Sequence, residues 1–234
     1  MNCIIASTST VHGSSYLGYF PDALTELFKG VKEIIFIPYA RPAGISHDEY
    51  TKKAQEGLKF LDINVVGIHQ KENPKQAIKN AEAVFTGGGN TFLLVSQLYQ
   101  NDLMQSLSDQ IKAGCAYLGT SAGSNICGKT MNTTNDMPIV HPPSFDTLGL
   151  FPFNINPHYL DPDPTSTHNG ETKETRIKEF QQVHQIPVVG LREGSWIRIK
   201  DQDLVLKGDL EARVFIPQQK PIEVKPNHSF KNLS

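Results

Sequence analysis

The stretch Gly119-Thr120-Ser121-Ala122-Gly123 fits G-x-S-x-G, and its surroundings are those the pattern needs. The apolar run Cys115-Ala116-Tyr117-Leu118 precedes it, and a helical stretch from Ala122 to Cys127 is predicted to follow. A turn this tight requires small residues beside the serine and pushes its hydroxyl out above the strand end. The helix that starts there offers free backbone N–H groups and the positive end of its dipole. Ser121 is therefore a candidate nucleophile, and the N–H of Ala122 a candidate donor to an oxyanion. The alternative is an ordinary strand-to-helix turn carrying a satisfied serine. A second small-residue run, Phe85-Thr86-Gly87-Gly88-Gly89-Asn90-Thr91, also follows a strand and precedes a helix. It is not G-x-G-x-x-G, and no lysine follows as in a P-loop, so a nucleotide site is poorly supported. It suits the other half of an oxyanion hole, through the N–H of Gly88 or Gly89.

A serine nucleophile needs a base, and the base an orienting acid. Eight histidines are present. His158 follows Phe153-Asn154-Ile155-Asn156-Pro157, a strand-like run stopped by proline, which puts it at the strand edge where open α/β sheets carry their sites. It ranks ahead of His141, in a Pro-rich loop, and of His168, in a polar one. Two acids compete for the third place. Asp136 gives the chain order Ser, Asp, His of the α/β-hydrolases. Glu193 directly follows the strand-like Val188-Val189-Gly190. Either could instead be a surface acid or a turn former.

The elements that must position these groups alternate. Short, largely apolar runs at 3–6, 33–37, 63–68, 83–85 and 115–118 are separated by helical patterns at 23–28, 46–61, 74 onward, 91–99 and 103–112. Asp22 is a predicted N-cap, and Ser46 with Glu49 forms a predicted capping box. This alternation predicts an α/β fold of three layers, with a mostly parallel sheet covered by helices on both faces. After about residue 150 one helix (171–184) is followed by closely spaced strands at 188–190, 196–199, 204–206 and 212–216. These are expected as antiparallel additions to the sheet edge. No linker is visible, so residues 1–234 read as one catalytic domain, with a tail at 226–234 expected to fray.

The 22 basic and 24 acidic side chains give a net charge of −2, which leaves no electrostatic footprint for nucleic acid or an anionic membrane. No apolar run approaches the roughly 20 residues of a membrane span, and no signal peptide is visible. Three cysteines are too few for a disulfide framework and read as reduced thiols of a cytoplasmic protein.

Together, several blocks resemble peptidase E, the α-aspartyl dipeptidase family, a serine branch of the class I glutamine amidotransferase-like fold. They are the two small-residue runs above, the first with Ser124-Asn125; Asn135-Asp136-Met137-Pro138-Ile139; Asn156-Pro157-His158-Tyr159; and Gly170-Glu171-Thr172 with Arg176-Ile177. The resemblance covers nearly the whole chain. It implies a serine dipeptidase that hydrolyses dipeptides with an N-terminal aspartate through an acyl-enzyme, without metal or other cofactor. It implies Ser121 as nucleophile and His158 as base, and matches the third member to Asp136 or Glu193. Amidotransferase relatives carry a Glu two residues after the His; here that residue is Leu160. Charge matching then nominates Arg176 for the substrate carboxylate and Glu171 or Asp161 for its amine. The expected partner is a small peptide, with the protein a monomer or homodimer. The competing readings are a cyanophycinase-like hydrolase of aspartate polymers, a metal-dependent hydrolase using His158, Asp161, Asp163 and His168, and a non-catalytic binding module on the same fold.

Overall fold

A computed structural model describes residues 1–163, 165, 167 and 170–233. In chain order the elements are β1 (Asn2–Ala6), α1 (Pro21–Leu27), β2 (Glu33–Ile37), α2 (His47–Gly57), β3 (Asn64–Gly67), α3 (Pro74–Lys79), β4 (Ala83–Thr86), α4 (Thr91–Gln100), α5 (Met104–Lys112), β5 (Ala116–Thr120) and α6 (Ala122–Asn125). They continue with β6 (Asn154–Asn156), α7 (Lys173–Val183), β7 (Val188–Gly190), β8 (Trp196–Lys200), β9 (Asp203–Lys207), β10 (Ala212–Phe215) and β11 (Ile222–Val224).

A seven-stranded sheet runs β3-β2-β4-β5-β1-β8-β9. Its first five strands are mutually parallel, and β8 and β9 extend it antiparallel beyond β1. The alternation along each parallel strand explains why both faces are covered. Ile4, Ala6, Ile34, Phe36, Ala83 and Phe85 pack against Leu24 and Leu27 of α1 and Tyr50 and Ala54 of α2. Cys3, Ile5, Ile35, Ile37, Val84 and Tyr117 point the other way, toward α3, α4, α5 and α6. Strands buried on both faces read as unbroken apolar runs, because neither face meets water. The expected capping box is present: Ser46 Oγ accepts from Glu49 N at 3.2 Å, and Glu49 Oε2 accepts from Ser46 N at 2.7 Å. That helix stops at Gly57, ahead of the expected Leu61, and a separate 3-10 turn covers Lys59–Leu61. Asp22 is not a cap; it lies in the first turn of α1, behind Pro21.

One sequence expectation holds only in part here, and another fails. Only β8 and β9 join the main sheet. The strands at 188–190 and 212–215 build a second, four-stranded sheet, β11-β10-β7-β6, in which β6 and β7 are parallel. This sheet lies on the α6 side, since Ile155, Val189 and Val214 share one apolar cluster with Ile5, Ala122 and Ile126. Its other face takes Ile177 of α7 between Tyr159, Val188 and Phe215. The tail is not frayed through residue 233. Phe230 is buried, its N–H donates to Leu204 O at 2.8 Å, and Ser229 bridges Val205, so the segment shields the exposed edge of β9. Among the described residues no helix is long and apolar enough to cross a membrane.

Candidate active site

Ser121 sits at the corner between β5 and α6 with φ 54° and ψ −110°, a backbone setting that costs a side-chain-bearing residue about 1–3 kcal/mol. The corner is held from several directions. Ser121 N donates to Ala6 O at 3.1 Å, and Ser124 Oγ lies 2.6 Å from Ala6 O. The flanking glycines are required sterically: a Cβ on Gly119 would lie 2.4 Å from Gly123 O, and one on Gly123 2.2 Å from Thr86 O. The strain is thus imposed by close backbone packing, and it turns the hydroxyl outward.

His158 is also left-handed, at φ 53°, just past β6 and Pro157. Its N–H donates to Ser7 Oγ at 2.9 Å, and the buried Ser7 hydroxyl in turn donates to Leu191 O at 2.8 Å. Tyr159 N donates to the same Leu191 O at 2.9 Å. Beneath it, Asn156 Nδ2 donates to Thr133 O at 2.8 Å and Asn135 Nδ2 to Pro157 O at 2.7 Å. So fixed, the imidazole puts Nε2 2.8 Å from Ser121 Oγ and Nδ1 2.6 Å from Glu193 Oε1. A carboxylate can only accept, which assigns the proton to Nδ1 and leaves Nε2 as acceptor for the serine hydroxyl. The strand pairing explains the contact. In the parallel pair β6–β7, Asn156 stands opposite Gly190, so the chain delivers His158 and Glu193 just beyond matched strand ends.

The two acids are thereby separated. Asp136, expected as one candidate orienter, makes no hydrogen bond to His158 among the described residues. Its Oδ2 accepts from Thr91 N at 2.7 Å and from Thr134 Oγ1 at 2.9 Å. The free N–H groups and positive dipole end at the start of α4 attract the carboxylate there.

The glycine-rich loop lies against the serine. A Cβ on Gly88 would come 3.0 Å from Ser121 Cβ and 3.5 Å from its Oγ, so a side chain there would require the serine to give by a few tenths of an ångström. Among the described residues, the N–H groups of Gly88, Gly89 and Ala122 have no acceptor.

The specificity candidates are less central. Arg176 Nε is 3.8 Å from Glu171 Oε2, and both side chains are more than half exposed, a pairing that contributes little. Asp161 is not free for an amine. It accepts from Arg192 Nε at 2.9 Å and from Nη2 at 2.7 Å, and this holds its carboxyl below the usual aspartate range. Asp163 Oδ1 accepts from Thr165 N at 2.8 Å, and His168 falls outside the described residues. Among the described residues, no three His, Cys, Asp or Glu side chains converge as a metal cradle.

Sequence reading missed Lys173. This half-buried amine contacts the carbonyl oxygen of His158 and lines a small cleft with Asn135, Asn156 and Arg176. Burial pushes its pKa down from the ordinary lysine value, while the nearby Glu193 charge pushes it up. The sequence carried no signal for it: the expected helix began at Glu171, whereas Lys173 is the first residue of α7, where the helix dipole disfavours a cation. Ser7 was missed as well; nothing in the local pattern at the end of β1 distinguishes it.

Comparison with known proteins places the chain in a family. The model of "Peptidase family S51" matches residues 3–207. A protein of Streptomyces coelicolor named "Peptidase E" is 46% identical over 233 residues, covering 100% of this chain and 95% of its own. A Drosophila melanogaster protein named "Probable alpha-aspartyl dipeptidase" is 43% identical over 217 residues, covering 92% and 89%. The solved structure of a peptidase from an acI-B1 Actinobacterium superposes with a TM-score of 0.67 over 97% of this chain and 95% of that one; at 13% identity it speaks for the fold alone. On a family match that takes in both small-residue runs, His158 and Glu193, this chain belongs to peptidase family S51.

Proposed function

We propose that this protein is a serine dipeptidase that hydrolyses dipeptides with an N-terminal aspartate through an acyl-enzyme. The observation that carries the chemistry is the continuous chain of contacts from Ser121 Oγ through His158 to Glu193. The names of the relatives support the substrate class.

His158 Nε2 takes the Ser121 proton as Oγ attacks the carbonyl carbon between aspartate and the second residue. Glu193 offsets the charge that develops on the imidazole and keeps its second nitrogen protonated. The oxyanion is held by the N–H of Ala122 and of the Gly88–Gly89 loop, each donor contributing about 3–4 kcal/mol by analogy with other acyl-transfer sites. His158 returns the proton to the leaving amine, then activates the water that releases aspartate. Lys173, with Arg176 at the rim, offers the positive charge that a substrate carboxylate needs; this ranks Lys173 above Arg176. The expected location is the cytoplasm, and the partner a small peptide.

Purified protein is tested on Asp-X, Glu-X, Asn-X and X-Asp dipeptides and on an Asp-Arg polymer, with Ser121→Ala as control. Cleavage confined to Asp-X and abolished by the substitution is expected. Full activity in the Ser121→Ala protein would end the serine mechanism, and preferential cleavage of the polymer would replace the dipeptidase.

A further inference from the structure

Tyr50 belongs to α2, outside the Ser121–His158–Glu193 chain, and is 1% exposed. Its ring packs edge-on against Phe36, with centroids 4.9 Å apart, and the Arg41 guanidinium sits over its face at 5.1 Å. Its hydroxyl donates to Gly88 O at 3.0 Å in a buried bond. This bond joins the helical layer to the loop that lies against Ser121. The neighbouring glycines are seated equally closely. A Cβ on Gly87 would meet Tyr50 Oη at 2.6 Å, and one on Gly89 would meet Ala40 O at 2.2 Å.

In a trans peptide the C=O and the following N–H point in opposite directions. With Gly88 C=O held on Tyr50, Gly89 N–H faces away from it. The peptide between Gly88 and Gly89 has no Cβ on either side, and Gly89 stands at φ +147°, so little within the loop resists rotation of that unit. Rotated, it would exchange the N–H for a carbonyl oxygen, an acceptor that repels a developing oxyanion. We propose that Tyr50 is a positioning residue for the oxyanion-binding loop: its hydroxyl latches the Gly88–Gly89 peptide with the carbonyl inward and the N–H outward. The proposal rests on the serine mechanism given above. It also makes Gly89 N–H the loop donor that depends on the latch.

Tyr50→Phe removes the hydroxyl and keeps the ring. Four measurements are compared with wild type: kcat and KM on Asp-Leu, the Ki of an aspartyl aldehyde that forms a hemiacetal with Ser121, the Ki of free aspartate, and the rate of Ser121 phosphonylation by a fluorophosphonate. Loss of one oxyanion donor lowers kcat by about 100- to 1000-fold elsewhere, and partial loss of its alignment is expected to cost roughly 10- to 100-fold here. The aldehyde Ki should rise and the phosphonylation rate fall by a similar factor, with KM and aspartate affinity within about twofold. Fluorotyrosine at position 50, which keeps a donor, should restore kcat. Unchanged kcat and aldehyde affinity overturn the latch. So does a loss of aspartate affinity equal to the loss for the aldehyde, since that marks general damage. Wild-type protein inert toward Asp-Leu would sink the substrate assignment alone, because phosphonylation still reads the latch.

Discussion

Exchanging Glu193 for glutamine keeps the shape of the side chain and removes the charge facing His158 Nδ1. The contact is 2.6 Å long, and the two side chains are 35% and 51% exposed. Two unit charges with centres about 4 Å apart interact by about 1 kcal/mol in water and about 4 kcal/mol at the effective dielectric of a protein surface. A half-exposed pair falls between these limits, at roughly 2–3 kcal/mol, so Glu193→Gln should lower kcat about 30- to 150-fold. That is less than the roughly 10,000-fold seen when a fully buried triad acid is neutralised, because water reaches this one. Asp136→Asn is the companion. It weakens the end of α4 at a cost of about 0.5–2 kcal/mol of stability, as loss of a good helix cap does, and should leave kcat within about tenfold. Steady-state kinetics on Asp-Leu, corrected for the folded fraction from thermal melts, decide the matter. If Asp136→Asn, fully folded, costs more kcat than Glu193→Gln, the assignment of the orienting acid is wrong.

Three further outcomes follow from the geometry. Gly123→Ala drives a methyl group toward Thr86 O, which it would meet at 2.2 Å; it should lower stability by about 1–3 kcal/mol in urea unfolding and lower activity, and an unshifted midpoint would contradict the packing of the corner. Asp161 is held below the usual aspartate range, chiefly by its hydrogen bonds to Arg192, so its contribution is present above about pH 4 and is lost as pH falls through its lowered folded pKa; the Tm gap between wild type and Asp161→Asn should be open at pH 7 and close in strong acid. Cys3, Cys115 and Cys127 are all buried and free, and burial pushes the Cys3 and Cys115 thiols up to about 12, so a thiol reagent at pH 8 should label them only after denaturation.

What was legible in the sequence is what local physics fixes. The five parallel strands announce themselves because both faces are dry, and the corner at Ser121 because close backbone contact forces its glycines. The capping box at Ser46 and Glu49 is a contact between residues three apart. The second sheet was not legible as such. Its strands β6, β7 and β11 have three residues each, too few to display a period, and the parallel β6–β7 pair joins segments more than thirty residues apart. The choice between Asp136 and Glu193 fails for the same reason. Both are acids in loops near the site, and only the parallel register of β6 with β7 brings one of them to the imidazole. The tail misled because its composition is polar; one buried aromatic side chain, Phe230, together with backbone hydrogen bonds to β9, seats it.

Ser121 leaves the end of a strand in one sheet, whereas His158 and Glu193 leave the ends of two strands in the other. The proposed proton path therefore crosses a seam, stitched by Asn125 Nδ2 donating to Ile155 O at 2.8 Å and by the Ser7 hydroxyl beneath the histidine. Sliding of one slab against the other by a single ångström would break the 2.8 Å step while every helix stayed wound. Turnover in this enzyme is accordingly a finer gauge of slab alignment than any spectroscopic measure of helix content, and warming should silence it before it melts.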